Sequence, residues 1–431
     1  MEYNSYICAT ICIYRMKNRV QKQDIQQRNR GPFGRILVLT GARQTGKTTL
    51  ARKCFPDYSY ISIEDPILRS GYINLTATQW NHLYPQAIMD EIQKAPSLFE
   101  SIQSVYDQYP GTRYLLLGSS QLLLLDKVRE SLAGRCQIIE MFPLTLPEQI
   151  TQSWDEEVKP SLFQEWAAGK NDLAYLLPSF ELDPDYARKQ QAFDFYLKFG
   201  GYPAVTHPDL DDTGRRDWLT NYVRTYLERD IRDLADFRNL DSFVMLQKLT
   251  ALQTGQLINF SELGKEAGIT SKTAQRFIHY LDISYQTLLL PPWSRNKKKR
   301  LMKTPKIHYL DPGVLKAILQ KSGDCSGHEF ESFIVSELYR QLHLTGQSVD
   351  FYHLRSHDGR EIDLLLEFAN HYAAFEIKMS KNITKTDTRN FRDLETILDK
   401  PLKQCIILSN DPQVKDFSHK TLAIPAAMLL T

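Results

Sequence analysis

The feature that most constrains this chain is a glycine-rich segment, residues 41–48, which reads GARQTGKT. It meets the pattern GxxxxGK[ST] through Gly41, Gly46, Lys47 and Thr48. Glycines let a backbone wrap closely around phosphates, and the N–H groups of the loop and of the following helix attract negative charge. An apolar run precedes the segment and a helical pattern follows it, which is the context that this motif requires. The segment therefore predicts the phosphate-binding loop, or P-loop, of a nucleoside triphosphatase.

Individual positions of this loop have predicted roles. The ammonium group of Lys47 is expected to reach the outer phosphates, and the hydroxyl group of Thr48 is expected to ligate Mg²⁺. We predict ATP as the nucleotide and Mg²⁺ as its metal. The predicted nucleotide-binding residues are Gly41, Ala42, Arg43, Gln44, Thr45, Gly46, Lys47, Thr48 and Thr49.

Two adjacent carboxylates follow a second apolar run. Residues 86–89 read QAIM, and Asp90 and Glu91 come next. A carboxylate at the end of a strand beside a P-loop can hold Mg²⁺ through water, and a second one can orient or deprotonate the attacking water. We assign Asp90 to the metal and Glu91 to the water.

Two further residues near predicted strands are candidates for catalysis. Ser119 follows the apolar run at residues 113–117 and can contact the γ-phosphate or its water; the alternative is a serine that only completes a turn. Arg135 precedes the run at residues 137–141 and can stabilise transition-state charge, either in its own chain or across an oligomer. The alternative for Arg135 is an ordinary surface arginine.

The length of the chain and its alternating pattern predict several domains. A chain of 431 residues exceeds one ordinary domain. Apolar strand runs alternate with helical patterns in the first third, which predicts a parallel sheet covered on both faces. The expected class is an α/β multidomain protein. We predict a P-loop core at residues 1–146, a helical lid region at 147–250, a helix-turn-helix module at 251–320 and a second αβ domain at 321–431.

Charge and hydropathy exclude some classes of protein. The formal net charge of +2 argues against a wholly electrostatic nucleic-acid binder, although a local basic patch is enough to bind DNA. No run approaches the roughly 18–20 apolar residues of a membrane helix. The N-terminal apolar stretch lacks a basic leader, so we expect a cytoplasmic protein. The six cysteines form no CxxC pair, and we expect free thiols.

A helix-turn-helix pattern is followed by two apolar runs around a polar stretch. Residues 261–267 and 271–281 are the predicted helices, with a turn at 268–270. The apolar runs at residues 285–290 and 306–310 are the predicted strands of a wing. The expected structure is a winged helix.

This module has two groups of side chains that can contact DNA. The basic stretch at residues 296–300, which reads NKKKR, lies between the predicted wing strands and can contact a phosphate backbone. The second helix has polar residues on its less apolar side, where base or phosphate contacts are made. The alternatives are a solvated turn with a surface helix, or a module that packs against protein. The polar residues of the helix are Ser271, Lys272, Gln275 and Arg276.

Several short segments occur in a recognisable order along the chain. They are residues 41–50, 63–66, 89–93, 117–120, 132–135, 200–203, 225–230 and 309–313. With these segments the chain resembles a prokaryotic family that joins an AAA-like P-loop core to a C-terminal domain of unknown function. The resemblance covers nearly the whole chain after residue 35. It implies ATP binding and hydrolysis, a helical lid, a winged helix and a C-terminal domain similar to PD-(D/E)xK nucleases, which has a restriction-endonuclease-like αβ fold.

One position departs from the related AAA-type ATPases. Many of them place an asparagine at the sensor after the fourth strand, whereas this chain has Ser119. This departure leaves a slow nucleotide switch open as an alternative to fast, ring-type hydrolysis.

The resemblance also points to a second constellation near the C-terminus. Glu376 and Lys378 are two apart on one predicted strand, so their side chains share a face, and Asp363 lies on the preceding strand. Glu331, on a predicted helix, is our choice for the acid that completes a PD-(D/E)xK arrangement. In such a site the carboxylates hold Mg²⁺ or Mn²⁺, and the lysine positions water or stabilises charge. The alternative is a strand edge with a surface ion pair.

Three functional hypotheses follow. The first is an ATPase whose nucleotide state controls a DNA-binding or nuclease-like C-terminal half, with ATP and DNA as partners. The second is a nucleotide-gated switch that binds a protein partner through an inactive nuclease-like domain. The third is a nuclease whose ATPase is vestigial, and the intact P-loop disfavours it.

Overall fold

The computed structural model describes most of the chain after residue 15. The described residues are 16–118, 121–170, 172–173, 177, 183–227, 240–296, 298, 300, 304–356, 359–418 and 420–431.

The P-loop core is built on a five-stranded parallel sheet with the strand order β2-β3-β4-β1-β5. The apolar runs predicted from the sequence form these strands, and β1 is buried along its whole length. Because all strands run in one direction, their carboxyl ends lie at one edge of the sheet, where β1 and β3 place the P-loop and Asp90. The strands are β1 (Ile36–Gly41), β2 (Ser59–Ser62), β3 (Gln86–Asp90), β4 (Arg113–Leu117) and β5 (Cys136–Met141).

Helices cover both faces of this sheet, as the alternating pattern predicts. One face buries the predicted stripe of α5, in which Leu98, Ile102 and Val105 are fully buried. The other face packs against the helix that follows the P-loop, through Leu50 and Ala51. The helices of this part are α1 (Gln21–Arg30), α2 (Lys47–Cys54), α3 (Pro66–Ile73), α4 (Ala77–Leu83), α5 (Ser97–Gln108) and α6 (Gln121–Ser131).

The region after the core is helical in its described parts, as predicted. Its helices pack on the C-terminal domain as well as on the P-loop core. The ring centroids of Phe163 and Trp166 lie 6.1 and 6.4 Å from that of Phe375, and these residues belong to one buried cluster. The helices are α7 (Leu146–Ile150), α8 (Leu162–Ala167), α9 (Tyr186–Phe199) and α10 (Asp212–Tyr222), which continues into a π-helical turn (Val223–Leu227).

The third part of the chain, residues 240–319, has the element order helix, strand, helix, helix, strand, strand, helix in its described residues. Its three short strands form an antiparallel sheet in the order β6-β8-β7. The second predicted helix starts at Ser271 because the hydroxyl of Thr270 accepts the N–H of Thr273 at 3.2 Å. The elements are α11 (Leu240–Leu252), β6 (Gln256–Leu257), α12 (Phe260–Glu266), α13 (Ser271–Ile283), β7 (Thr287–Leu290), β8 (Lys306–Tyr309) and α14 (Pro312–Leu319).

The C-terminal domain is a six-stranded mixed sheet in the order β13-β14-β12-β11-β10-β9. The predicted strands are β10, β11 and β12. Strands β9, β13 and β14 were not predicted, since β9 and β13 are short and rich in polar residues. The elements are α15 (Gly327–Leu344), β9 (Asp350–Arg355), β10 (Glu361–Glu367), β11 (Tyr372–Lys378), α16 (Leu394–Ile397), β12 (Leu402–Ser409), β13 (Lys415–Ser418), β14 (Thr421–Pro425) and α17 (Ala426–Leu430).

Two of the motifs that carry the family resemblance contact each other. The buried carboxylate of Asp311 accepts the N–H of Gly201 at 2.8 Å, and the carbonyl of Gly201 accepts the N–H of Leu144 at 2.6 Å. Gly200 has a positive φ of 76°, and a Cβ at this position would overlap the carboxylate of Asp311. The segments at 200–203 and 309–313 therefore pack directly against each other, and they connect the helical region after the core with the third part of the chain.

Two sequence-based expectations can be compared with the described residues. No helix among them is both long and apolar enough to cross a membrane. Cys54, Cys136, Cys325 and Cys405 are free thiols, and Cys8 and Cys12 lie outside the described residues.

Candidate nucleotide site and C-terminal acidic cluster

The loop between β1 and α2 has the geometry of a phosphate cradle. The strand ends at Gly41 and the helix starts at Lys47. Gly41 has a φ of 143°, and a Cβ there would overlap the carbonyl oxygen of Met141 on β5. Gln44 and Gly46 also have positive φ values, of 60° and 93°. The tight backbone path thus depends on glycine at position 41 and directs the start of α2 toward the loop.

The ammonium group of Lys47 lies inside this loop. Its side chain is 7% exposed, and Nζ donates to the carbonyl oxygens of Gly41 and Ala42 at 2.8 and 2.7 Å. Both acceptors are neutral, so an anionic phosphate oxygen would compete well for the same protons. The position of Lys47 suits the predicted role of binding the outer phosphates.

The predicted metal residues meet at the carboxyl edge of the sheet. The hydroxyl of Thr48 donates to Oδ2 of Asp90 at 2.7 Å, and the N–H of Glu91 donates to Oδ1 at 3.1 Å. A second hydroxyl, that of Tyr60, donates to Oδ2 at 2.8 Å. Hydroxyl and carboxylate oxygens are the donors that Mg²⁺ prefers, so Thr48 and Asp90 fit this metal. Sequence reasoning missed Tyr60, which lies outside both motifs.

Glu91 is held beside the end of β4. Its backbone is left-handed, with a φ of 56°, and Nε2 of Gln93 donates to its Oε2 at 2.5 Å. The side-chain oxygen of Gln93 would clash with a Cβ at Gly118, which places this amide at the C-terminal end of β4. The predicted sensor Ser119 follows Gly118 but lies outside the described residues. Sequence reasoning also missed Gln93.

Arg135 lies at the opposite edge of the sheet from the P-loop. It precedes β5, whose far end, Met141, pairs with Gly41, so roughly 17–20 Å of strand separates the two positions. Its guanidinium donates to both carboxylate oxygens of Asp107 at 2.9 and 3.0 Å. This placement favours the surface-arginine alternative over action on a nucleotide in the same chain. A role across an oligomer stays a prediction.

Residues from outside the core sheet contact the P-loop from two sides. The guanidinium of Arg19, which is 6% exposed, donates to the carbonyl of Thr45 at 3.1 Å and to Glu148 at 2.9 Å. The hydroxyl of Tyr222, from the lid, donates to the carbonyl of Arg43 at 3.3 Å. The loop therefore contacts Arg19, from the segment before the core sheet, and Tyr222, from the helical region after it.

A cavity of about 150 Å³ adjoins the loop. Its walls combine apolar and aromatic side chains with a few polar groups. The lining residues are Met16, Lys17, Arg19, Thr45, Gly46, Thr49, Leu50, Leu144, Trp154, Pro203, Thr206 and His207.

A buried lysine from the third part lies among the predicted acidic residues of the C-terminal domain. Nζ of Lys306, on β8, lies 3.0 Å from Oε1 of Glu331, 2.7 Å from Oε1 of Glu361 and 3.7 Å from Oδ1 of Asp363. The Lys306 side chain is 4% exposed. This contact could not be predicted from the sequence, because Lys306 and the carboxylates belong to different elements.

The other predicted members of the cluster are also engaged by protein groups. Oε2 of Glu376 lies 3.1 Å from Nζ of Lys378, and its Oε1 accepts the amide of Asn390 at 2.7 Å. The carboxylate of Asp363 accepts the backbone N–H of Ile377 at 2.8 Å. Glu376 and Lys378 share a face of β11, as predicted.

Burial changes the acidity of these groups. Burial and the neighbouring Asp363 raise the pKa of Glu331 to about 8. Burial and Asp363 likewise raise the pKa of Glu376 to about 7. Burial alone would lower the pKa of Lys306, but the adjacent carboxylates hold it above its usual value, so this lysine stays charged.

These contacts bear on the predicted metal site at Glu331, Asp363 and Glu376. In the part of the chain that the structure describes, no group of three or more His, Cys, Asp or Glu side chains is arranged to hold a metal ion. The positive charge of Lys306 lies beside Glu361 and Asp363, whereas Glu331, with its pKa raised to about 8, is largely protonated at neutral pH. The metal site at Glu331, Asp363 and Glu376 stays a prediction, and Lys306 supplies a positive charge beside Glu331 and Asp363.

The predicted DNA-contacting groups divide into two sets. Lys272, Gln275 and Arg276 on α13 are exposed, and Ser271 is half-buried. Arg300 is instead 7% exposed, and its guanidinium lies 2.7 Å from Oε2 of Glu367 on β10. This corrects the prediction that Arg300 belongs to an exposed basic tip. The other residues of that stretch are Asn296 and Lys298, which are exposed, and Lys297 and Lys299, which lie outside the described residues.

Three family models match consecutive parts of the chain. A model described as an AAA domain matches residues 34–150. Two models described as Domain of unknown function (DUF8612) and Domain of unknown function (DUF4143) match residues 190–324 and 326–429. The match to the AAA domain and the geometry of the loop identify an AAA-type P-loop domain. The predicted combination of an AAA-like core with a C-terminal domain of unknown function is thereby confirmed.

The relatives come from bacteria and archaea. The uncharacterized protein Rv2008c of Mycobacterium tuberculosis is 25% identical over 433 residues, which cover 96% of this chain and 85% of the relative. The uncharacterized protein MJ1544 of Methanocaldococcus jannaschii is 24% identical over 356 residues, which cover 77% and 72%. Among solved structures, the Walker-type ATPase PABY2304 of Pyrococcus abyssi aligns with 14% identity and a TM-score of 0.43, over 70% of this chain and 98% of that one.

Proposed function

We propose that this chain hydrolyses ATP with Mg²⁺. The observation that carries the proposal is the contact between Thr48 and Asp90, whose hydroxyl and carboxylate meet at 2.7 Å at the start of the P-loop helix. A phosphate cradle alone would support only binding. A metal-binding hydroxyl paired with a strand-end carboxylate, followed by Glu91, supports hydrolysis.

Each group has a defined task in this proposal. The loop N–H groups and Lys47 bind and orient the phosphates. Bound Mg²⁺ would neutralise charge between the outer phosphates, with Thr48 as a ligand and Asp90 acting through water. Glu91 accepts a proton from the attacking water or orients it, and Gln93 holds its carboxylate.

The cavity beside the loop supports a nucleotide rather than inorganic phosphate. It adjoins Gly46 and Thr49, so a base and ribose could extend into it while the phosphates occupy the cradle. Its walls come from the N-terminal segment, the P-loop helix and the lid, including Met16 and Trp154. We assign this cavity to the nucleoside of ATP.

We further propose that nucleotide state influences the C-terminal half. Oε1 of Glu140, on β5, accepts the hydroxyl of Tyr285 at 3.1 Å, and its Oε2 lies 2.7 Å from Nε2 of His343. The Tyr285 hydroxyl also lies 3.5 Å from Oγ1 of Thr40, the residue before Gly41. These contacts join the P-loop strand, the third part and the C-terminal domain. Equal ATP turnover with and without DNA, together with unchanged DNA affinity on adding ATP, would reject this coupling.

The order of elements from α11 to β8 supports a winged helix as the DNA-facing module. The exposed Lys272, Gln275 and Arg276 on α13 are where a winged helix contacts a DNA groove. Substituting Arg276 by alanine should weaken binding to duplex DNA at low salt. DNA affinity that is the same for Arg276→Ala and for the wild type would shift this surface to a protein partner.

ATP turnover tests the proposed hydrolysis. The wild type should release phosphate from ATP in Mg²⁺, and Lys47→Ala should abolish the release. Lys420→Ala is the matched control, since its ammonium is paired with Glu395 on an exposed surface far along the chain. Turnover retained in Lys47→Ala would assign the activity to a contaminant and remove the basis of the proposal.

A specific observation favours a second candidate, a nucleotide-gated switch with an inactive nuclease-like domain. The order of strands in the C-terminal sheet suits a restriction-endonuclease-like fold, but Lys306 is engaged with Glu331, Glu361 and Asp363. In this proposal the domain binds a protein partner and cuts no DNA. Divalent-dependent cleavage of DNA that is lost in Glu376→Ala would reject it.

A further inference from the structure

Tyr60 has a position that neither predicted motif explains. It lies on β2, the edge strand of the P-loop sheet, and it is 41% exposed. Its hydroxyl donates to Oδ2 of Asp90, the same oxygen that accepts the hydroxyl of Thr48. A partly exposed aromatic residue at a sheet edge would ordinarily leave its hydroxyl in water. Here the hydroxyl is directed at the carboxylate assigned to the metal.

The strand register and the P-loop helix hold this ring in place. Tyr60 pairs with Ile88 on β3, so its side chain points to the same face of the sheet as those of Ile88 and Asp90. This is the face that α2 covers, and the guanidinium of Arg52, on α2, lies 4.9 Å from the centroid of the Tyr60 ring. The ring is therefore fixed between the edge of the sheet and the helix that carries Thr48.

The hydrogen bonds to Asp90 restrict how its carboxylate can turn. Oδ1 accepts the N–H of Glu91, and Oδ2 accepts two hydroxyls from two different elements. The Thr48 hydroxyl is itself a predicted metal ligand, so its hydrogen bond to Asp90 would be affected by metal binding. The bond from Tyr60 does not depend on the metal and would keep the carboxylate oriented.

We propose that Tyr60 is a positioning residue for the metal, which orients the carboxylate of Asp90 toward a Mg²⁺-bound water. This inference rests on the ATPase function proposed above. Groups that orient the residues around a metal commonly change metal affinity by about 10- to 100-fold when they are removed. The effect of losing the Tyr60 hydroxyl should therefore appear in metal affinity and leave metal-free nucleotide binding unchanged.

The test compares Tyr60→Phe with Tyr58→Phe in the full-length protein. Tyr58 is a suitable control, because its hydroxyl donates to Oδ1 of Asn29 at 2.7 Å and the substitution removes the same atom nearby. Binding of ADP is measured calorimetrically in EDTA. Binding of Mn²⁺ in the presence of ADP is then measured by electron paramagnetic resonance, and turnover is followed as a function of Mg²⁺ concentration.

The expected result is specific to one variant and one ligand. Tyr60→Phe should weaken Mn²⁺ binding by roughly tenfold, with equal affinity for ADP in EDTA. Its turnover should approach the wild-type kcat at high Mg²⁺, since excess metal compensates for weaker binding. Tyr58→Phe should match the wild type in all three measurements.

Three results would overturn the inference. Mn²⁺ affinity unchanged or increased in Tyr60→Phe would show that the hydroxyl does not help to place the metal. A similar loss in both variants would indicate a structural effect of this strand, as would a parallel loss of ADP binding in EDTA. A wild type that binds no Mn²⁺ with ADP would instead reject the proposed ATPase itself, so the two failures can be told apart.

Discussion

Two buried lysines of this chain lie near different kinds of acceptor, backbone carbonyls at Lys47 and carboxylates at Lys306. Lys47 in the P-loop is 7% exposed and donates to the carbonyls of Gly41 and Ala42. Lys306 is 3% exposed, and its ammonium lies within 3.0 Å of carboxylate oxygens of Glu331 and Glu361. An anionic ligand can displace neutral carbonyls from an ammonium far more readily than it can displace carboxylates.

A cluster of carboxylates can be neutralised by a lysine of the same chain as well as by a metal ion. Carboxylates brought together by folding repel one another until a cation neutralises them. In the P-loop domain that cation is proposed to arrive with the nucleotide. In the C-terminal domain the chain supplies it as Lys306, from a strand of the neighbouring part.

The largest expected effect is on stability, from removing the internal cation. Lys306→Ala leaves buried carboxylates without their partner, which typically costs about 3–5 kcal/mol of unfolding free energy. Urea unfolding followed by circular dichroism measures this cost. Lys420→Ala, which breaks an exposed ion pair, should change the midpoint far less. Equal midpoints for the two variants would mean that Lys306 does not neutralise the cluster.

Substitutions of two glutamates, one in each region, are expected to affect ATP turnover differently. Glu91→Gln should lower kcat by about 10²- to 10⁴-fold, as for loss of a general base, with ATP binding retained. Glu376→Gln should leave ATP turnover unchanged, because Glu376 belongs to the C-terminal cluster. Phosphate release and ATP binding are measured for both variants. Similar losses in both would contradict the assignment of the chemistry to the P-loop domain.

Stability should also depend on pH, with a smaller change for each pH unit. The pKa values of Glu331 and Glu376 are raised in the folded chain to about 8 and about 7, so the folded state binds more protons than the unfolded state above the usual carboxylate range. Stability should therefore fall as pH rises from about 5 to 8, by at most roughly 1.4 kcal/mol per pH unit for each group. Urea unfolding across this range gives the slope. Glu331→Gln should reduce it, and an equally steep slope in that variant would contradict the assignment.

The smallest expected effect is at Arg135. Because its guanidinium is paired with Asp107 at the edge of the sheet away from the P-loop, Arg135→Ala should change ATP turnover by less than about twofold. Turnover is measured over a range of protein concentrations. A large loss that appears only at concentrations where the chain associates would support the predicted role across an oligomer.

The sequence predicted the P-loop domain well because its signals are local. Residues 41–48 carry the loop geometry in adjacent positions, and Asp90 and Glu91 directly follow an apolar run that the alternating pattern assigns to a parallel sheet. The predicted strands at 361–367 and 373–378 were likewise found because most of their residues are apolar and lie next to one another along the chain. In each case the information lies within a few residues.

The missed features depend on contacts between distant segments. Tyr60 reaches Asp90 only through the register of β2 with β3. Lys306 enters the acidic cluster because β8 packs beside α15, and Arg300 is buried because Glu367 faces it. A basic stretch in the sequence does not reveal which of its members will pair with a buried carboxylate.

The most direct test of the central claim is to count bound Mn²⁺ ions by electron paramagnetic resonance, with and without ADP. We expect one Mn²⁺ ion per chain in the presence of ADP, no bound Mn²⁺ in its absence, and loss of the ADP-dependent ion in Asp90→Asn. A Mn²⁺ ion that binds without nucleotide and is lost in Asp363→Asn would contradict this expectation, because the C-terminal cluster would then hold a metal despite Lys306.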